Sequence, residues 1–219
     1  MDNLNPLNLS NLETLTEDQY LVLAKIKKEY ESGFKMLNSI SQKTVTFYGG
    51  GRVLKNGEIY NLVSQIARTF VQNNFAIVSG GGPGVMEAAL VGAAENGGLG
   101  IGFGITIDQE KLNGIAGKCI LFENFSVRKY MLRQSDVLIY APGGVGTLDE
   151  LMENITLMTT DKMPTKPLFL LGKVFWEPYL VWLLGIQKTN KFIGNNVFST
   201  IHLVDNYGEI FEILKNIGQ

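Results

Sequence analysis

Pro142-Gly143-Gly144-Val145-Gly146-Thr147-Leu148-Asp149-Glu150 gathers backbone donors, a hydroxyl and a carboxylate into one short stretch. Before it, Asp136–Tyr140 reads as a buried parallel strand; after it, Leu151–Met158 carries apolar residues at helical spacing. A strand, a glycine-rich turn and a helix in that order form an anion site. The glycines admit a ligand close to backbone N–H groups, and the helix N-terminus adds a partial positive charge. Gly143, Gly144, Gly146 and Thr147 are therefore candidate phosphate contacts, and Glu150 is a candidate catalytic carboxylate. This reading puts Glu150 on the first helical turn, where the dipole favours its ionised form. Thr147-x-x-Glu150 is equally the spacing of a capping box, which needs no chemistry, and this stretch alone leaves both readings open.

A second junction repeats the device. Phe75–Ser79 reads as a strand, Gly80-Gly81-Gly82-Pro83-Gly84 as its turn, and a helix follows through Glu87 to about Glu95. A third glycine cluster, Gly49-Gly50-Gly51, ends the strand Thr44–Tyr48 and leads into Arg52, which could meet a phosphate or carboxylate. Such turns at the carboxyl ends of parallel strands would line one crevice of a doubly wound sheet. Arg128 and Lys129, near the start of a helix over Phe125–Arg133, add two cations that could serve this crevice or a solvated basic turn. Neither main junction is a dinucleotide fingerprint, because Asp149 and Val85 stand where the third glycine belongs, and no P-loop motif occurs.

The composition narrows the class. The 219 residues suit one sizeable domain, taken as 16–219 after a poorly ordered lead-in over 1–15. A net charge of −2 gives no general drive towards nucleic acid or an anionic membrane. Cys119 is the single cysteine, so no internal disulfide is possible and a cytoplasmic setting is expected. The N-terminus lacks the pattern of a signal peptide, and no stretch has the apolar length of a membrane span. With His202 as the only histidine, no metal site is expected.

The elements that must position these residues alternate between strand and helix. A helix from Thr16 to about Ile40 offers Leu21, Leu23, Ala24, Ile26, Tyr30, Phe34 and Leu37 for a buried face. A helix over Glu58–Asn73 turns Leu62, Val63, Ile66, Ala67, Phe70 and Val71 inward. Further strands fall within Gly98–Ile107, Lys118–Phe122, Lys166–Leu171 and around His202, with a loop over Asp108–Gly117. Gly172–Pro178 reads as a turn into a helix over Tyr179–Lys188, and a last helix spans Gly208–Ile217. The expectation is an α/β, Rossmann-like, doubly wound and mainly parallel sheet with helices on both faces.

Gly80-Gly-Gly-Pro-Gly-Val-Met-Glu-Ala-Ala89, Arg128-Lys129 and Pro142-Gly-Gly-Val-Gly-Thr-Leu-Asp-Glu150 together resemble the Lonely Guy family, cytokinin riboside 5′-monophosphate phosphoribohydrolases, in its longer bacterial branch. The similarity runs from about Val45 to Trp182. It implies a Rossmann-like fold, a homodimer or higher homo-oligomer, a nucleoside monophosphate as ligand and no cofactor. Arg128 and Glu150 would be the catalytic pair, and Gly143, Gly144, Gly146 and Thr147 would hold the 5′-phosphate with Lys129 assisting. Gly81, Gly82 and Gly84 would shape the pocket, with Glu87 matching a family glutamate. Gly50 stands where many members have serine. Many members carry a lysine decarboxylase label, for which this sequence offers no pyridoxal-phosphate constellation. The implied reaction releases base from AMP or an N6-substituted AMP. The rival class is a non-catalytic nucleotide or molybdenum-cofactor carrier, in which Glu150 would cap and Arg128 would clamp.

Overall fold

A computed structural model describes residues 15–106, 114–187, 189–192 and 200–217. Seven strands form one sheet: β1 (Lys43–Tyr48), β2 (Phe75–Ser79), β3 (Gly100–Ile105), β4 (Lys118–Phe122), β5 (Val137–Tyr140), β6 (Leu168–Leu171) and β7 (Ile201–Val204). Their order is β4-β3-β2-β1-β5-β6-β7, and every pairing is parallel. The expected fold class holds, with a sheet parallel throughout. Central strands such as β2 and β5 are buried on both faces, which is why they are short apolar runs without alternation.

Helices α2 (Glu58–Gln72), α3 (Val85–Ala94) and α7 (Tyr207–Ile217) cover one face. The opposite face carries α1 (Glu17–Asn38), α4 (Phe125–Leu132), α5 (Val145–Thr159) and α6 (Lys173–Val181). Each face has its own core. Phe47 and Ile139 pack with Phe70 on the first, whereas Tyr48 and Tyr140 point to the second with Met131, Leu151 and Trp176. The strand order reverses direction at the β1–β5 pair, so a crevice opens beyond the ends of those two strands.

Two expectations need correction. The helix placed at Tyr179–Lys188 begins instead at Lys173, and a π-helical segment follows it over Trp182–Gln187. Pro178 lies inside α6, where it removes one backbone donor. The first turn is fixed by Trp176, fully buried, whose indole N–H donates to the Tyr140 carbonyl at 3.1 Å. On α1, Thr16 and Gln19 complete a capping box, but Leu21 and Leu23 are exposed rather than inward. Only the later turns meet α4 and β4, where Gly33 lies against Met131 and Tyr30 packs edge-on with Tyr130. The edge strand β4 gives the earlier turns nothing to cover. The lead-in expected over 1–15 lies outside the described residues except for Leu15, as does most of the loop expected over Asp108–Gly117. Among the described residues, no helix is long and apolar enough to cross a membrane.

Candidate active site

The three glycine clusters meet, as expected, at the strand-order reversal. Gly50 donates its N–H to the Pro142 carbonyl at 3.0 Å and accepts from the Val85 N–H at 3.1 Å. The loops after β1, β2 and β5 are thereby stitched through one residue. Packing is close enough to demand glycine: a Cβ on Gly84, which also has φ +67°, would overlap the Gly50 carbonyl. A Cβ on Gly143 would overlap the Thr147 hydroxyl. Gly81, Gly82 and Gly84 are buried and form the floor.

Gly144 and Gly146 differ, because both are exposed and an added Cβ would meet nothing within 4 Å. Glycine in a helical turn costs up to about 1 kcal/mol relative to alanine. Among the described residues, no neighbour requires glycine at either position. Helix α5 begins at Val145 with Gly144 as its N-cap and no side-chain cap bond. Its first backbone N–H groups are thus without helical partners at the mouth of the crevice.

That boundary settles the capping question against the box. Thr147 is the third helical residue and buried, so it is past the cap position, and Glu150 lies on the second turn. The expectation that the helix dipole favours ionised Glu150 also fails. Its pKa is pushed up to about 7, because burial outweighs the attraction of Arg128 and Asp149 adds repulsion. The Glu150 side chain is 13% exposed and the Arg128 side chain 10%.

Arg128 reaches Glu150 from α4. Its Nη1 donates to Glu150 Oε1 at 3.2 Å and its Nε to the Phe103 carbonyl on β3 at 2.8 Å. Nη2 lies 4.0 Å from the Met86 sulfur, beside Gly80. The structure therefore brings the expected pair together, in a nearly closed setting held by two neighbouring elements. A planar guanidinium fixed at Nε presents its remaining donors in one plane, which suits it to oppose charge on a bound group.

Other predicted residues lie elsewhere. Lys129 donates to Asp149 at 2.9 Å and pairs with Glu153 at 3.1 Å, so its ammonium is committed to α5 carboxylates. Burial pulls its pKa down, but those bonds prevail and raise it. Glu87 pairs with Lys55 at 2.6 Å and neighbours the buried Tyr60, whose pKa is pushed up to about 12 by burial and by Glu87. Arg52 is exposed on the β1 loop. No group of His, Cys, Asp or Glu suited to a metal ion occurs among the described residues.

The sequence reading missed a polar cluster beneath Glu150. Tyr48 and Tyr140 end the two switch-point strands at matched register and stack at 4.5 Å and 8°. Asn154 donates to the Tyr140 hydroxyl at 2.7 Å, and that hydroxyl reaches the Glu150 carbonyl at 3.4 Å. The available signal was Asn154 itself, a polar residue four beyond Glu150 on a face otherwise made of Leu151, Ile155 and Met158.

The family model described as possible lysine decarboxylase matches residues 86–214, more than half of the chain. Cytokinin riboside 5′-monophosphate phosphoribohydrolase LOG2 of Arabidopsis thaliana is 28% identical over 155 residues, covering 69% of this chain and 72% of that protein. Among solved structures, the molybdenum cofactor binding protein of Rippkaea orientalis superposes with a TM-score of 0.62 at 20% identity, over 83% of this chain and 100% of that one. The molybdenum cofactor carrier protein of Chlamydomonas reinhardtii does so at 0.56 and 19% identity, over 80% and 97%. At these identities the structural matches establish the shared fold.

Proposed function

Since the chain belongs to the Lonely Guy family, we propose that it hydrolyses the N-glycosidic bond of a nucleoside 5′-monophosphate, AMP or an N6-substituted AMP, releasing base and ribose 5-phosphate. The observation that carries this reading is the buried Arg128–Glu150 pair beside an exposed glycine-rich turn at a helix N-terminus. The N–H groups at the start of α5 would take the 5′-phosphate and fix the ribose. Binding energy from that remote group then lowers the barrier at the sugar carbon.

Glycosidic bonds of this type break through an oxocarbenium-like state, which a nearby carboxylate stabilises. Glu150 fills that role when ionised and also orients water. Arg128 opposes the negative charge gathering on the departing base; a guanidinium holds its proton too firmly to act as the acid. Protonation of the base is therefore assigned to water. Lys129 is assigned to holding α5 rather than to direct phosphate contact. A lysine decarboxylase using a Schiff-base lysine needs an amine that loses its proton readily. At the candidate site, Lys129 does not supply one, because Asp149 and Glu153 hold it protonated.

The test is chromatographic detection of base after incubation with AMP and with an N6-substituted AMP. Release of base at a turnover above the uncatalysed rate is expected. No release, with tight binding of a phosphorylated ligand retained, supports the second reading, a nucleotide or molybdenum-cofactor carrier. The cofactor-binding proteins of the same fold favour that alternative.

A steric variant offers an independent check. Gly80 has no left-handed φ, yet an added Cβ would overlap Arg128 Nη2 and approach the Met86 sulfur. Gly80→Ala is expected to cost about 1–3 kcal/mol of stability by overpacking. Displacing Arg128 from Glu150 should lower turnover at least roughly tenfold, as suits a misplaced catalytic group. Thermal melts and the base-release assay read the two effects separately.

A further inference from the structure

We infer that Tyr140, held by Asn154 and stacked on Tyr48, is a positioning residue that sets where Glu150 sits and how dry its surroundings are. This rests on the hydrolase reading for its kinetic consequence, but its geometry stands apart from it. Tyr48 and Tyr140 occupy the last positions of β1 and β5, at one register, so the pleat sends both rings to the α5 face. There they stack in parallel. The Asn154 amide donates to the Tyr140 hydroxyl at 2.7 Å. The Tyr140 hydroxyl in turn meets the Glu150 backbone carbonyl at 3.4 Å.

Asn154 is 2% exposed and both tyrosines are buried. A buried amide on an apolar helix face is costly unless its hydrogen bonds are made. Here those bonds end on the turn that presents Glu150. The cluster thus pins the second turn of α5 to the ends of the two strands that frame the crevice. Two further supports act on the other side of that turn: Arg128 from α4, and the Lys129 and Arg133 contacts to Asp149 and Glu153. The charged and titratable groups facing Glu150 are therefore Arg128 and Lys129 from α4, Asp149 on its own helix, and the two tyrosines from the sheet.

The experiment uses Tyr140→Phe, Asn154→Leu and the double variant in the full chain. Two readouts are taken: base release against pH, and the ionisation midpoint of the Glu150 carboxyl by NMR of glutamate labelled at the side-chain carboxyl carbon. Tyr140→Phe removes the pin and leaves the Asn154 amide unpaired. The expected result is a kcat lowered roughly tenfold with KM within about twofold, as for an interaction made in the transition state. The midpoint should move down towards the ordinary carboxylate value, because a looser turn admits water.

The double variant removes the unpaired amide as well, so its melting temperature should recover relative to Tyr140→Phe. Its kcat and midpoint should not recover. Recovery of all three together would reduce the cluster to packing and overturn the inference, as would an unmoved midpoint in a folded Tyr140→Phe. If the wild-type chain releases no base yet its midpoint moves as expected in Tyr140→Phe, the hydrolase reading falls and the positioning role stands.

Discussion

Glu150→Gln is expected to abolish base release, by roughly a thousandfold or more, while AMP affinity stays within a few-fold of wild type. The size follows from removing the charge that faces the oxocarbenium-like sugar at a largely buried position, where such groups act most strongly. The retained affinity follows from the separate cradle: the N–H groups at the start of α5 do not depend on the Glu150 carboxyl. In the wild type, kcat/KM should rise with pH through an acid limb near 7, the value to which burial pushes Glu150.

Stability should show the same group with a definite sign. A carboxyl whose folded value, about 7, lies above its ordinary 4.5 binds its proton more tightly in the folded state. Its contribution is present below about 4.5 and is lost as pH rises through about 7. Glu150→Gln has no such loss, so its melting temperature relative to wild type should climb between pH 5 and 8 by roughly 4–8 °C. Calorimetry at a series of pH values reads this; a flat difference would show that Glu150 titrates as an ordinary exposed acid.

The fold was legible because parallel strands buried on both faces are near-continuous apolar runs, and β1, β2, β5 and β6 each lead into glycine. Glycine clusters after three strands pointed to one crevice, and the hydrogen bonds from Gly50 to Pro142 and from Val85 to Gly50 are the physical form of that convergence. What failed was local register. A capping box requires its threonine outside the helix, and spacing alone cannot tell whether the chain has already entered helical geometry. Here Val145 has, two residues before Thr147.

Adjacent cations make different contacts here because neighbouring residues on a helix point about 100° apart. Arg128 turns inward to Glu150, and Lys129 turns sideways to Asp149 and Glu153. The ionisation of Glu150 was beyond the sequence for a different reason. It depends on desolvation by elements far apart in the chain, including α4 and the ends of β1 and β5. Near the helix start, that burial exceeds the dipole's modest contribution.

Arg128→Met should be as damaging to turnover as Glu150→Gln, but with the opposite signature in pH. Methionine fills much of the arginine's volume and removes the cation that opposes burial at Glu150. The carboxyl's midpoint then climbs above its wild-type value of about 7, and at neutral pH it is protonated and cannot stabilise a cationic sugar. Base release at pH 7 should fall roughly a thousandfold, and any residual activity should rise only at higher pH. The Phe103 carbonyl also loses its donor, at a cost of about 1–3 kcal/mol. Below pH 6 little more should be lost, because a buried acid without a partner takes up a proton instead of remaining charged. Towards pH 9 its ionisation must be forced, and the variant should weaken steeply relative to wild type. Urea melts at pH 5.5 and 8.5 measure that divergence. The double variant Arg128→Met/Glu150→Gln removes the stranded acid, so it should regain stability at pH 8.5 without regaining turnover. That non-additivity is what a coupled buried pair produces. Simple additivity at both pH values would mean that Arg128 and Glu150 act as independent surface groups, and the proposed active site would lose its basis.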